Sequence, residues 1–102
     1  MTGGPRAVHD ELMPVMMAMG TKAIYCGEMG QGSVMKLIGN HFISLMLQAL
    51  CEGVVVGKKH GLPLETILEV VQASGFASPY FAFKGNAIAK RDFSEHFKID
   101  LL

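Results

Sequence analysis

Lys36, Asn40, Ser44, Gln48 and Glu52 recur every four residues through otherwise apolar surroundings. On an α-helix each step of four drifts by only about 40°, so these groups form a slowly winding polar stripe. Lys36 and Asn40 fall about 6 Å apart along the axis on one face, near the helix start. One reading is the solvated face of an amphipathic helix. The other is a site in which a lysine moves a proton and an asparagine orients a polar substrate. The stripe carries one lysine and one glutamate, fewer charges than exposed helical faces usually hold, and its amides are costly to bury unpaired. A buried or partly buried lysine can have its pKa lowered toward the working range of an acid–base catalyst.

Ahead of this stripe, residues 27–33 form a glycine-rich turn containing Gly27, Gly30 and Gly32. It has no lysine between Gly27 and Gly32-Ser33, which excludes the phosphate-cradling GxxxxGK[ST] loop. It also misses the dinucleotide fingerprint GxGxxG, because Met35 stands at the third glycine position. Beyond Lys36, Ala49, Gly53 and Gly57 make an edge of small residues on the long helix. Glycine in a helix costs about 1 kcal/mol relative to alanine, so this edge implies close approach of another backbone. That backbone belongs either to the same chain or to a second subunit. His9, His41, His60 and His96 show no metal-ligand spacing, and no metal site is expected. The clustered methionines Met13, Met16, Met17 and Met19 read as core filler.

The elements that position these residues are mostly helical. Val8, Leu12, Val15, Met16 and Met19 are spaced for a first helix, with Gly20 as its C-cap. Residues 23–26 are short and partly β-branched, and read as a strand. A long helix is expected over about residues 33–60, stopped by Gly61-Leu62-Pro63. A second runs over 64–73 with Ile67, Leu68, Val70 and Val71 inward, and Ser78-Pro79 opens a third that runs to about Lys90. Phe97 begins what reads as a further element, and the pattern at both ends suggests a piece of something larger.

The 102 residues carry nine basic and nine acidic side chains, which removes the electrostatic signature of a nucleic-acid binder. Mean hydropathy is +0.33, yet polar residues interrupt the apolar stretch of residues 34–56 well short of a span, so no membrane partner is expected. Two cysteines, Cys26 and Cys51, make no disulfide scaffold and read as reduced thiols of a cytoplasmic protein.

The run Gly27-x-x-Gly30-x-Gly32-x-x-x-Lys36-x-x-x-Asn40 resembles the catalytic motif of the β-hydroxyacid dehydrogenases, the family of 3-hydroxyisobutyrate dehydrogenase. Gly3-Gly4, the helix that follows and Met19-Gly20 look like the last helix of that family's cofactor domain, and residues 23–26 like its closing strand. Residues 52–61 resemble the end of its long helix, and Asp92-Phe93-Ser94 with Phe97 its following turn. The resemblance implies a mainly α chain. Residues 1–29 would be a remnant of the Rossmann cofactor domain. Residues 30–102 would be the long interdomain helix and the start of an all-α, 6-phosphogluconate-dehydrogenase-like C-terminal domain.

The same resemblance assigns Lys36 as general acid/base, Asn40 as substrate-binding, NAD or NADP as the cofactor of the full-length family and a small hydroxy acid as substrate. No GxGxxG occurs in these residues, and Gly3-Gly4 lies too close to Lys36 to be the family's substrate loop. The chain is therefore expected to bind no cofactor tightly and to be inactive alone. The alternative is a stand-alone helical module that self-associates through Ala49, Gly53 and Gly57. Either way a homo-oligomer, dimer or higher, is expected.

Overall fold

In a computed structural model describing residues 1–95, the described chain is mainly helical: α1 (Arg6–Met19), α2 (Gln31–Lys59), α3 (Leu64–Ala73) and α4 (Pro79–Lys90). His96, Phe97 and the element expected there lie outside the described residues. The chain forms two compact units, Met1–Ile43 and a second beginning at Ser44. The division falls within α2. The cause is local: the first turns of α2 pack against the segments around Thr2 and Tyr25.

In the first unit, α1 follows Pro5, carries Pro14 in its interior and buries His9. Gly20 is its C-cap, as the sequence pattern leads one to expect, in extended backbone (φ −167°). The strand expected over residues 23–26 is reduced to one parallel bridge between Thr2 and Tyr25. Thr2 N–H donates to Ile24 O (2.9 Å), Cys26 N–H to Thr2 O (2.8 Å) and Gly4 N–H to Gly27 O (2.9 Å). Strands grow by pairing, and residues 2–4 are too short a partner to extend the ladder. α1 is the crossover that this parallel pairing requires.

In the second unit, the last turns of α2 bury Leu50, Val54 and Gly57. α2 closes in a Schellman motif at Gly61 (φ +84°): Leu62 N–H donates to Gly57 O (3.0 Å) and Gly61 N–H to Lys58 O (3.1 Å). Pro63 precedes α3, whose Leu68 packs against Gly85 of α4. Ile67, Leu68 and Val71 are half-buried, but Val70, expected inward, is exposed. At about 100° per residue the three buried positions cover one arc, and Val70 lies about 60° outside it. α4 starts where Ser78 Oγ accepts the Phe81 N–H (3.0 Å), with Pro79 as its first residue. It stops at Arg91 in the left-handed region (φ 53°). By length and composition alone α2 could cross a membrane, a possibility set against the polar side chains along it.

Candidate functional site

The first turn of α2 is set by its glycines. Gly30 sits at φ +88°, a conformation that L side chains rarely adopt, and it turns the chain from the Tyr25 segment into the helix. Gln31 N–H bonds Glu28 O (3.0 Å) and Val34 N–H bonds Gly30 O (3.0 Å). Gly32 is required for a different reason. A Cβ there would lie 3.1 Å from Gly3 N and from the Thr2 carbonyl carbon, because the two backbones cross in contact. Gly27 also holds a positive φ, +117°. The motif glycines are thus the mould of the helix start.

One turn on, Lys36 Nζ donates to Asn40 Oδ1 at 3.0 Å. Lys36, Ser33 and Gly32 line an open cavity of about 570 Å³, walled on another side by Met1, Gly3 and Met29. The burial that would make Lys36 a desolvated base is not supplied: the residue is exposed, while Asn40 is half-buried. Their spacing of four lets a long cationic side chain reach an amide one turn ahead. Ser33, Gly3 and Met29 were not read as site residues. The signal for Ser33 was its place three before Lys36 on one face; for Gly3 only the fold reveals the crossing.

The rest of the stripe lies in the second unit. Gln48 Nε2 donates to Glu52 Oε1 at 2.6 Å, and both side chains border an exposed patch with Cys51, Val55 and Val56. Ala49 and Gly53 line an apolar cavity of about 310 Å³ with Leu50, Val54, Ile67 and Phe81. Of the small-residue edge, Gly57 is covered by its own chain: a Cβ there would meet Ile67 Cδ1 at 2.5 Å. Gly53 faces open space. Burial pushes the Tyr80 phenol above its usual 10.0, and nearby Cys51 adds to the rise. Among the described residues no cluster of three or more His, Cys, Asp or Glu could hold a metal.

The profile of a family described as "NAD-binding of NADP-dependent 3-hydroxyisobutyrate dehydrogenase" matches residues 30–102. The chain is 30% identical over 99 residues to glyoxylate/succinic semialdehyde reductase 1 of Arabidopsis thaliana, covering 97% of this chain and 34% of that protein. It is 30% identical over 102 residues to 2-(hydroxymethyl)glutarate dehydrogenase of Eubacterium barkeri (99% and 34% covered). It is 28% identical over 93 residues to cytokine-like nuclear factor N-PAC of Aedes aegypti (91% and 17% covered). The chain spans about a third or less of the length of these relatives. Its helical build agrees with the helical C-terminal region of such dehydrogenases. With most of its length matched by that profile, this chain belongs to the NAD(P)-dependent 3-hydroxyisobutyrate dehydrogenase family of β-hydroxyacid dehydrogenases.

Proposed function

We propose that this chain carries the proton-transferring lysine of an NAD(P)-dependent 3-hydroxyacid dehydrogenase that interconverts a small hydroxy acid and its carbonyl form. The observation that carries the reading is Lys36 at the wall of the cavity, tied to Asn40 one turn after the glycine turn. In oxidation Lys36 Nζ takes up the proton of the substrate hydroxyl, and in reduction it returns a proton to the carbonyl oxygen. Asn40 Oδ1 holds the Lys36 Nζ on the cavity side of α2, and the Asn40 amide helps orient the substrate.

The glycine turn does not fit the dinucleotide. The Thr2 and Gly3 backbone already lies against Gly32, where a pyrophosphate would need to approach, and the N–H groups of Gln31 and Val34 are bonded within the turn. On this reading these residues serve proton transfer and substrate placement, and the 102 residues alone are expected not to turn over substrate. Co-expression with the dinucleotide-binding half of a full-length relative supplies the test. Turnover of a short 3-hydroxyacid should appear, and Lys36→Ala should lower it by about 10²–10⁴-fold. Turnover that survives Lys36→Ala refutes the assignment; turnover by the chain alone refutes the division of labour.

A second reading rests on the exposed apolar side chains of α2, among them Leu37 (66% exposed) and Phe42 (57%). It makes the chain a self-associating module, dimer or higher, with Ala49 and Gly53 at the contact. A monomeric mass by light scattering at concentrations of roughly tens of micromolar would dismiss it.

A further inference from the structure

We infer that His9 is a positioning residue: through the Thr2 hydroxyl it fixes the wall, Met1 and Gly3, that closes the cavity in front of Lys36. The inference rests on the reading of that cavity as the substrate site.

His9 is the buried polar residue of α1, 9% exposed, at a position where helical spacing alone would be served by leucine. Its Nδ1 lies 2.8 Å from Thr2 Oγ1. Its ring lies against Tyr25, centroid to centroid 5.2 Å, and Tyr25 Oη donates to Gly4 O at 2.9 Å. The ring therefore reaches, directly or through Tyr25, both sides of Gly3.

Thr2 is the residue on which the segment hangs. Its N–H and C=O make the bridge to Ile24 and Cys26, its Oγ1 also donates to Ile24 O (3.3 Å), and the same oxygen meets His9 of α1. The next residue crosses the first turn of α2 so tightly that a Cβ on Gly3 would lie 2.6 Å from Glu28 O and 2.8 Å from Gly32 N. Met1 and Gly3, on either side of Thr2, line the same cavity as Lys36. A two-residue bridge is a weak pairing by itself. A part-buried hydrogen bond from α1 to its centre is what sets the segment's depth against α2.

The test is amide hydrogen exchange and NMR on the 102-residue chain. The amides read are Cys26 and Gly4, which bond Thr2 O and Gly27 O. Losing the one hydrogen bond between His9 and Thr2 should speed their exchange by about fivefold. His9→Leu, which keeps the volume but not the polar atom, should do so while leaving the central amides of α1 and α2 unchanged. It should also weaken the cross-peaks between Gly3 and Gly32 and shift the Ser33 and Lys36 amides. His9→Asn, whose amide can stand where Nδ1 stands, should restore all of these. Thr2→Val, which also removes the Oγ1 bond to Ile24 O, should speed exchange at least as much as His9→Leu, and adding His9→Leu to it should add nothing; this arm stands even if His9→Leu does not fold.

Unchanged Cys26 and Gly4 exchange in both His9→Leu and Thr2→Val overturns the proposal. So does failure of His9→Asn to restore it, or acceleration spread evenly over α1 and α2, which would make His9 a core residue and nothing more. None of these readouts depends on what Lys36 does, so they fail separately from the catalytic assignment.

Discussion

Gly53 and Gly57 lie one turn apart on α2, and the structure gives them opposite sensitivities to one added methyl group. In both, alanine removes the backbone freedom that glycine has in the unfolded chain, worth about 1 kcal/mol in a helix interior. That gain is common to the two variants and cancels in their difference. Nothing lies within 4 Å of a Cβ at Gly53, so Gly53→Ala should keep the full gain. At Gly57 the new carbon would meet Ile67 Cδ1 at 2.5 Å and Cγ1 at 3.1 Å, with Leu62 Cδ1 at 3.7 Å. Forcing the Ile67 side chain out of its place for an extra methyl group costs about 1–3 kcal/mol.

Gly57→Ala should therefore be less stable than Gly53→Ala by about 1–3 kcal/mol, and at or below the parent. For a unit of this size about 1 kcal/mol corresponds to roughly 4–8 °C in Tm. Thermal unfolding followed by circular dichroism resolves such a gap, and repeating it across protein concentrations separates folding from association. Equal shifts in the same direction for both variants would refute the packing argument. A concentration-dependent loss of stability in Gly53→Ala alone would instead place Gly53 in a contact between chains.

Three further outcomes follow from single interactions. Ser78→Ala removes the hydroxyl that accepts the Phe81 N–H and should cost about 1 kcal/mol in urea unfolding, with Ser78→Asp close to the parent. Gly30→Ala places a Cβ in open space but at φ +88°, so backbone strain alone should cost about 1–2 kcal/mol, and Gly30→Asn less. Tyr80 titrates above 10.0 because burial, and then Cys51, disfavour the phenolate. Its folded pKa is raised, so the contribution is complete below 10.0 and is lost as pH rises through the folded value. Absorbance titration near 295 nm should show one of the two tyrosines late, and Cys51→Ser should bring it part of the way back; an unmoved curve in that variant would contradict the Cys51 contribution.

What the sequence carried most clearly was punctuation. Ser78-Pro79 starts α4 and Gly61-Leu62-Pro63 ends α2 because capping and chain-stopping are settled by a few neighbouring residues. The spacing of Lys36 and Asn40 likewise carried their hydrogen bond, since four residues on a helix fix the geometry. Tertiary facts were less legible. Residues 23–26 have strand composition, but pairing depends on how much chain lies alongside, and among the described residues the bridge is to Thr2. The exposure of Lys36 and the division of the small-residue edge, with Gly57 covered and Gly53 open, depend on what packs around α2. His9 gave no signal at all, because its partner Thr2 is a common residue seven positions away in the chain.

The crossing of Gly3 and Gly32 also constrains how this sequence can drift over generations. A Cβ at Gly3 would press on Glu28 O and Gly32 N, and one at Gly32 on Gly3 N and the Thr2 carbonyl carbon: backbone in both cases, not a side chain that a second substitution could trim. No exchange at one position is compensated by an exchange at its counterpart, so the pair is closed to the stepwise routes by which most packed residues are traded. Two glycines 29 positions apart are in this sense a single character, inherited together or lost together with the crossing.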